Sequence, residues 1–164
     1  MSPPVLKGVK IYNNIFVDTG NDGIQVGSAV QDCEIHHNQI LRDSRKAEQY
    51  QESGIMNNRG SVCNIYNNLI KDGGGPAYTS RVTAATKFTT TSLSTPVRIT
   101  GSYVGYGIKV TTGSNVGNSI YVWNNTIINP KEIGINFENR RSNKTRFKTT
   151  LSSTLVAVTI LITP

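Results

Sequence analysis

The sequence predicts an all-β chain whose short strands recur as stacked, parallel coils, and three observations predict it. The first is an internal repeat: Val9-Lys-Ile-Tyr-Asn-Asn-Ile-Phe-Val-Asp18, Cys33-Glu-Ile-His-His-Asn-Gln-Ile-Leu-Arg42, Cys63-Asn-Ile-Tyr-Asn-Asn-Leu-Ile-Lys-Asp72 and Ile120-Tyr-Val-Trp-Asn-Asn-Thr-Ile-Ile-Asn129 align without gaps. The second is composition: 15 Gly among 164 residues, many Asn, few Leu and little sign of a 3.6-residue period argue against a helical bundle. The third is spacing. The step from Asn14 to Asn38 is 24 residues and from Asn38 to Asn68 is 30, too short for a βαβ crossover with its strands but suited to a coil of short strands.

Within each repeat, period-2 alternation assigns the faces. Val9, Cys33, Cys63 and Ile120 form one inward column, Ile11, Ile35, Ile65 and Val122 the next, and Phe16, Ile40, Ile70 and Ile127 a third across the turn. A second motif follows nine residues after Asn14 and after Asn125, in Gly23-Ile-Gln-Val26 and Gly134-Ile-Asn-Phe137, with further copies at Gly54-Ile-Met-Asn57 and Gly107-Ile-Lys-Val110. It supplies a fourth inward column of Ile24, Ile55, Ile108 and Ile135. Asn14, Asn38, Asn68 and Asn125 recur at the turn, where asparagine tolerates left-handed backbone angles and its amide reaches the coils on either side. The insertion Ser44-Arg-Lys-Ala-Glu-Gln-Tyr-Gln-Glu-Ser53 accounts for the longer second coil, and as a polar loop it is expected in solvent.

These repeats resemble the right-handed parallel β-helix superfamily, which includes pectate-lyase-like polysaccharide lyases, polygalacturonase-like hydrolases and many secreted repeat proteins. The resemblance covers about residues 9–76 and 103–143 and implies a single-stranded solenoid of about five to six coils, spanning 1–143. It further implies a secreted or cell-surface protein acting on an extracellular polysaccharide. Because the superfamily hosts several chemistries and some non-enzymes, the fold alone does not choose among them.

Two stretches, 77–101 and 144–164, break the pattern and are expected to be irregular. They resemble each other: Phe88-Thr-Thr-Thr-Ser-Leu-Ser-Thr-Pro-Val97 and Phe147-Lys-Thr-Thr-Leu-Ser-Ser-Thr-Leu-Val156 share six of ten positions. Both fall where the spacing calls for another Asn-Asn strand. Threonine codons begin AC, so starting each codon at its third base turns Thr-Thr into triplets that permit Asn-Asn. Over Thr86 to Val97 this offset permits Lys-Ile-Tyr-Asn-Asn-Leu-Ile-Val-Asn-Pro-Gly, a copy of the repeat. The sequence therefore suggests a reading frame displaced near residues 76 and 144 and restored near 102, against a genuine Thr/Ser-rich loop and divergent terminal strand. With the repeat already running at Val9, the start reads as cut into a longer protein.

Charge supports this partition. The net charge is +7, but six of the 17 basic residues (Arg81, Lys87, Arg98, Lys144, Arg146 and Lys148) lie in these two acid-free stretches. Outside them, 11 basic and 10 acidic residues leave +1, so the basicity is not a nucleic-acid patch. The opening residues lack a signal-peptide pattern, and no apolar run reaches the length of a membrane span. Cys33 and Cys63 share an inward column on successive coils, where strands are about 4.8 Å apart, and buried thiols are the expectation unless the longer coil keeps them in register.

Function in a stacked solenoid must lie outside the packed interior. Tyr12, His36, Tyr66 and Trp123 share one outward position, a column of aromatics that suits sugar rings or packing between coils. Asp18, Arg42, Asp72 and Asn129 share another, readable as an ion-pair ladder or as a site for an acidic polymer. The resemblance implies that a lyase on a uronate takes Lys or Arg as the base and a cation or calcium against the carboxylate. Arg42, Arg45, Lys46 and Lys71 are candidates for the first role, and Asp18, Asp22, Asp43 and Asp72 for holding calcium. Glu48, Tyr50 and Glu52 are candidate contacts from the insertion, because such loops wall the groove in related solenoids. Asp18-Thr-Gly-Asn-Asp22-Gly is superficially similar to the acidic cluster of polygalacturonase-like hydrolases, but the adjacent Asp pair, Gly-His-Gly and Arg-x-Lys of that family are absent. His36-His37 has the look of a metal or acid-base pair, yet the repeat itself places Tyr12 and Asn13 at the same positions. The competing class is a non-catalytic carbohydrate-binding or adhesive solenoid.

Overall fold

The computed structural model describes residues 4–82, 86–89, 92–94, 106–112, 120–123, 126–128, 133–139 and 160–163. These hold 18 short strands and no helix. The first five are β1 (Leu6–Lys7), β2 (Lys10–Tyr12), β3 (Ile15–Val17), β4 (Ile24–Val26) and β5 (Ala29–Gln31). There follow β6 (Cys33–His36), β7 (Gln39–Leu41), β8 (Ile55–Asn57), β9 (Cys63–Tyr66), β10 (Leu69–Lys71) and β11 (Tyr78–Val82). The rest are β12 (Thr86–Thr89), β13 (Ser92–Ser94), β14 (Tyr106–Thr112), β15 (Ile120–Trp123), β16 (Thr126–Ile128), β17 (Ile133–Asn139) and β18 (Ile160–Thr163).

Every pairing is parallel, and the strands sort by their place in the repeat. A first sheet runs β2-β6-β9-β12-β15, a second β3-β7-β10-β13-β16, and a third β4-β8-β11-β14-β17-β18, with β1 and β5 forming a separate pair. The chain therefore visits the first, second and third sheets in turn before returning to the first, so that each strand lies beside its equivalent in the next repeat. Parallel neighbours require this, since a hairpin can join only antiparallel strands.

The registers match the columns expected from alternation. Ile11, Ile35 and Ile65 are successive partners, as are Phe16, Ile40 and Ile70. Ile35, Ile40, Ile55, Ile65 and Ile70 are essentially inaccessible, and with Ile24, Val26, Ile108, Val110 and Ile135 they form a single core drawn from all three sheets. Ile11 and Phe16, in the first repeat, are only partly covered. Gly23 and Gly54 begin the third-sheet strands for a steric reason. A Cβ at Gly54 would lie 2.5 Å from Ile70 Cγ2 and 2.6 Å from the Ala77 carbonyl oxygen, and one at Gly23 would meet Ile40 and the Gly54 carbonyl at the same distances.

The expected asparagine ladder is present at Asn14, Asn38 and Asn68. The Asn14 backbone N–H and side-chain amide donate to Asn38 Oδ1 at 3.1 and 3.0 Å, and Asn38 donates to Asn68 Oδ1 in the same way at 3.0 Å each. The left-handed angle belongs to the preceding residue, with φ of 56° at Asn13, 54° at His37 and 51° at Asn67. Turn conformation and ladder bonding are thus divided between two adjacent positions. Asn125 lies outside the described residues.

Cys33 and Cys63 are partners in register and form a disulfide, in place of the buried thiols expected. The insertion makes this geometry available, because its extra residues leave the strand stack between β7 and β8 and do not shift the phase of the first two sheets. Residues within 77–101, expected to be irregular, include three strands in repeat order: β11 pairs with β8, β12 with β9 and β13 with β10. Phe88 is the partner of both Ile65 and Val122, and Leu93 of Ile70 and Ile127, so this stretch supplies a member of each sheet between the copies recognised in the sequence. Apart from Ala77 and these three strands, 77–101 lies outside the described residues, as does 144–164 apart from β18.

Candidate functional site

Two outward surfaces carry the residues with functional chemistry. The first lies on the first sheet, where Ile11, Ile35 and Ile65 point inward and their neighbours therefore point out. Tyr12, His36 and Tyr66 stack with ring centroids 5.1 and 4.8 Å apart and planes within 4° and 10° of parallel. Rings piled like this cover one another's faces, and the column leaves exposed its edges and the outer face of Tyr12. Trp123 is not the next member. Thr89 is its partner and stands between it and Tyr66 in sheet order, and the Trp123 side chain lies outside what the structure describes.

Beside this column Lys10 Nζ sits 2.9 Å from Glu34 Oε2, and that hydrogen bond holds the Glu34 carboxyl below the usual range. His36 Nδ1 and His37 Nδ1 are 2.8 Å apart, and His37 Nε2 is 3.3 Å from Asn67 Nδ2.

The second surface forms where the second-sheet strands end. Asp18, Arg42 and Asp72 follow Val17, Leu41 and Lys71, which are partners in β3, β7 and β10, and all three adopt left-handed φ of 54°, 56° and 58°. Their column is real, and Arg42 closes it: Nε and Nη2 donate to Asp18 Oδ1 and Oδ2, each at 2.8 Å. This two-pronged bond lowers the Asp18 carboxyl below its ordinary value and raises the guanidinium. Lys71 Nζ is 3.9 Å from Asp72. Arg45 and Lys46 join the same corner through the backbone, donating to the carbonyls of Thr19 at 3.0 Å and Gly20 at 2.9 Å, and the Lys46 stem crosses Gly20. The four basic candidates therefore gather about one edge, although their signal in the sequence was only composition and repeat position.

The four acidic candidates divide. Asp18 and Asp72 stay at the surface, whereas Asp22 and Asp43 turn inward. Asp22 Oδ1 accepts from the Ser53 backbone N–H at 2.8 Å, and Asp43 Oδ1 accepts from Ser44 Oγ at 2.8 Å. The second oxygen of each carboxyl, and Asn21 Oδ1, have no hydrogen-bond partner in the protein. Burial pushes both acids up to about 6, with the Asp22 charge adding to the effect on Asp43 and the Glu52 charge to that on Asp22. Burial also raises Glu52.

The insertion is more than a solvated loop. Ser44, Glu52 and Ser53 are buried at its two ends, and Ser53 Oγ bonds Thr79 Oγ1 at 2.8 Å. Glu48 and Tyr50 remain exposed, and Arg81 lies 5.4 Å from the Tyr50 ring centroid. Arg81 also acts to lower Asp22, a role hidden in the sequence because it falls in the stretch that departs from the repeat.

As a calcium site this corner does not fit. Calcium takes about 6–8 oxygens, and among the described residues no group of three or more His, Cys, Asp or Glu is arranged to hold a metal ion. Among them, too, no helix is long and apolar enough to cross a membrane. No protein-family model, no curated protein and no solved structure matches the chain.

Proposed function

We propose that the repeats wind as a right-handed parallel β-helix of the pectate-lyase-like kind, in a secreted or cell-surface protein that acts on a uronate-containing polysaccharide. The observation that carries this reading is the corner where Arg42, Arg45, Lys46 and Lys71 come together beside an insertion that exposes Tyr50. Such a surface pairs cations with the carboxylates of an acidic polymer and offers an aromatic face to a sugar ring. The Cys33–Cys63 disulfide supports an exported protein, since such bonds persist in oxidising compartments.

In the enzymatic form, β-elimination, a basic side chain takes the proton beside the uronate carboxylate while a neighbouring cation steadies the developing charge. Arg45, Lys46 and Lys71 are the candidates for the base, because Arg42 is held by Asp18. That same two-pronged bond favours the second reading, a non-catalytic carbohydrate-binding or adhesive solenoid in which the ion pairs are only a charged surface. Incubation with polygalacturonate and alginate, with and without calcium, separates the two. Ultraviolet absorbance from an unsaturated uronate supports the lyase, binding without product supports the adhesive form, and neither binding nor product overturns both.

A further inference from the structure

We propose that two copies of this chain pair through their first repeats, across the corner formed by β2 and β3, in a two-fold symmetric dimer. β2, β3 and β4 are end members of the three sheets, so the first repeat presents strand edges with no neighbour on one side. Apolar surface gathers at the same end. Among the described residues, the large apolar side chains that stay exposed are Val5, Leu6, Tyr12, Ile15, Val17 and Val30, with Tyr50 of the insertion apart from them. Ile11 and Phe16 are only partly covered, whereas Ile35 and Ile40, their partners in the second repeat, are inaccessible. Open strand edges joined to an apolar face invite another chain.

Self-complementarity identifies the occupant as a second copy. A two-fold interface sets one surface against itself, so each residue must suit the one it meets in both directions. With the axis through the turn at Asn13 and Asn14, β2 lies antiparallel to β3 of the partner and opposes Lys10 to Val17, Ile11 to Phe16 and Tyr12 to Ile15. The partly covered Ile11 then meets the partner's Phe16, and the exposed Tyr12 meets the partner's Ile15, an aromatic ring against a β-branched side chain. The Lys10 stem lies along the partner's Val17 while Glu34 holds its ammonium.

The backbone fits the same register. The Val9 and Asn14 carbonyls accept from the Glu34 and Gln39 N–H groups of the second repeat, each at 2.8 Å. Alternate residues of a strand turn their N–H and C=O to alternate sides, so those of Lys10, Tyr12, Ile15 and Val17 face the free edge. The two-fold opposes these residues to one another, Lys10 to Val17 and Tyr12 to Ile15, as the hydrogen-bonded pairs of an antiparallel ladder, with Ile11 and Phe16 as the non-hydrogen-bonded pair between them. The Tyr12 carbonyl also accepts from Asn14 Nδ2 at 2.9 Å and has a second lone pair for the partner. Asn14 gives its amide hydrogens to that carbonyl and to Asn38 Oδ1, which leaves its own oxygen as the open end of the asparagine row, and the two-fold sets the partner's Asn13 across from it.

Sedimentation equilibrium of the full chain over a concentration series should show reversible association that stops at two chains. Val17 is exposed, so it accepts either charge without disturbing the core. Val17→Lys sets a second ammonium against the partner's Lys10, twice by symmetry, and should weaken the dimer about tenfold or more, whereas Val17→Glu sets a carboxylate there and should leave it as tight or tighter. Circular dichroism of both variants should match the parent. A single-chain mass at every concentration, growth past two chains as a head-to-tail stack would give, or equal loss in the two variants overturns the pairing.

Discussion

Asn38 shows how much one side chain carries here. It is buried, accepts two bonds from Asn14, and donates to Asn68 and to the Ile11 carbonyl. Asn38→Ala takes the acceptor from the Asn14 backbone N–H and side-chain amide and removes the side-chain donor to Asn68 Oδ1 and the Ile11 carbonyl, so a loss of about 2–4 kcal/mol is expected in urea denaturation. Asn14→Ala, at the end of the row, should cost less. Asp43 makes a prediction about pH. Its folded value is raised to about 6 from 3.8, so the native state holds the proton more tightly than the unfolded chain. Its contribution is fully present at pH values below 3.8 and is lost as pH rises through about 6, and Asp22 behaves in the same sense. Stability, and with it the thermal midpoint, should therefore fall as the pH rises from about 4 through about 6, by on the order of 2–3 kcal/mol from Asp43. Asp43→Asn should flatten that part of the profile. Asp18 and Glu34, lowered by their basic partners, act in the opposite sense, but as exposed groups they are screened.

At the scale of the elements, the disulfide and the glycine starts of the third-sheet strands are the features most open to test. The bond between β6 and β9 closes a 30-residue span, and a loop of that length gives about 3–4 kcal/mol by the chain-entropy relation. Reduction, or replacement of both cysteines by alanine, should lower the unfolding midpoint accordingly, and an unchanged midpoint would show that the stack alone sets stability. Gly54→Ala places a methyl against Ile70 and the Ala77 carbonyl and should cost about 1–3 kcal/mol, measurable by the same denaturation. The inward columns were legible from the sequence because alternation and repeat spacing fix them jointly: Ile35 and Ile65 had no other place to go. The disulfide was not, since a shared column says which residues stack but not whether an insertion of ten residues elsewhere keeps them in phase.

For the molecule as a whole, three parallel sheets share one core, and that much follows from the repeat. The division of the acidic candidates was beyond reach of the sequence, because it depends on where the ends of the insertion tuck in. Asp22 and Asp43 look like surface aspartates in a turn until Ser44 and Ser53 are seen to bind them. The aromatic column was legible as a shared position, with sugar contact and packing between coils both open, and Tyr12, His36 and Tyr66 stack from coil to coil, which spacing alone did not decide. Positions 86–94 posed the opposite difficulty: threonine and serine hid strands whose register falls in step with their neighbours.

The asparagine row has a further property that belongs to its direction. Asn14 and Asn38 each hand one amide hydrogen to the next asparagine and the other to a backbone carbonyl, so the amide-to-amide bonds of the row point one way and polarise one another. The row acts as a small electret along the stack, with its oxygen end at Asn14 and its hydrogen end advancing with the chain. A cation near the first turn and an anion near the last are favoured by this built-in field, much as charges are at the two ends of an α-helix.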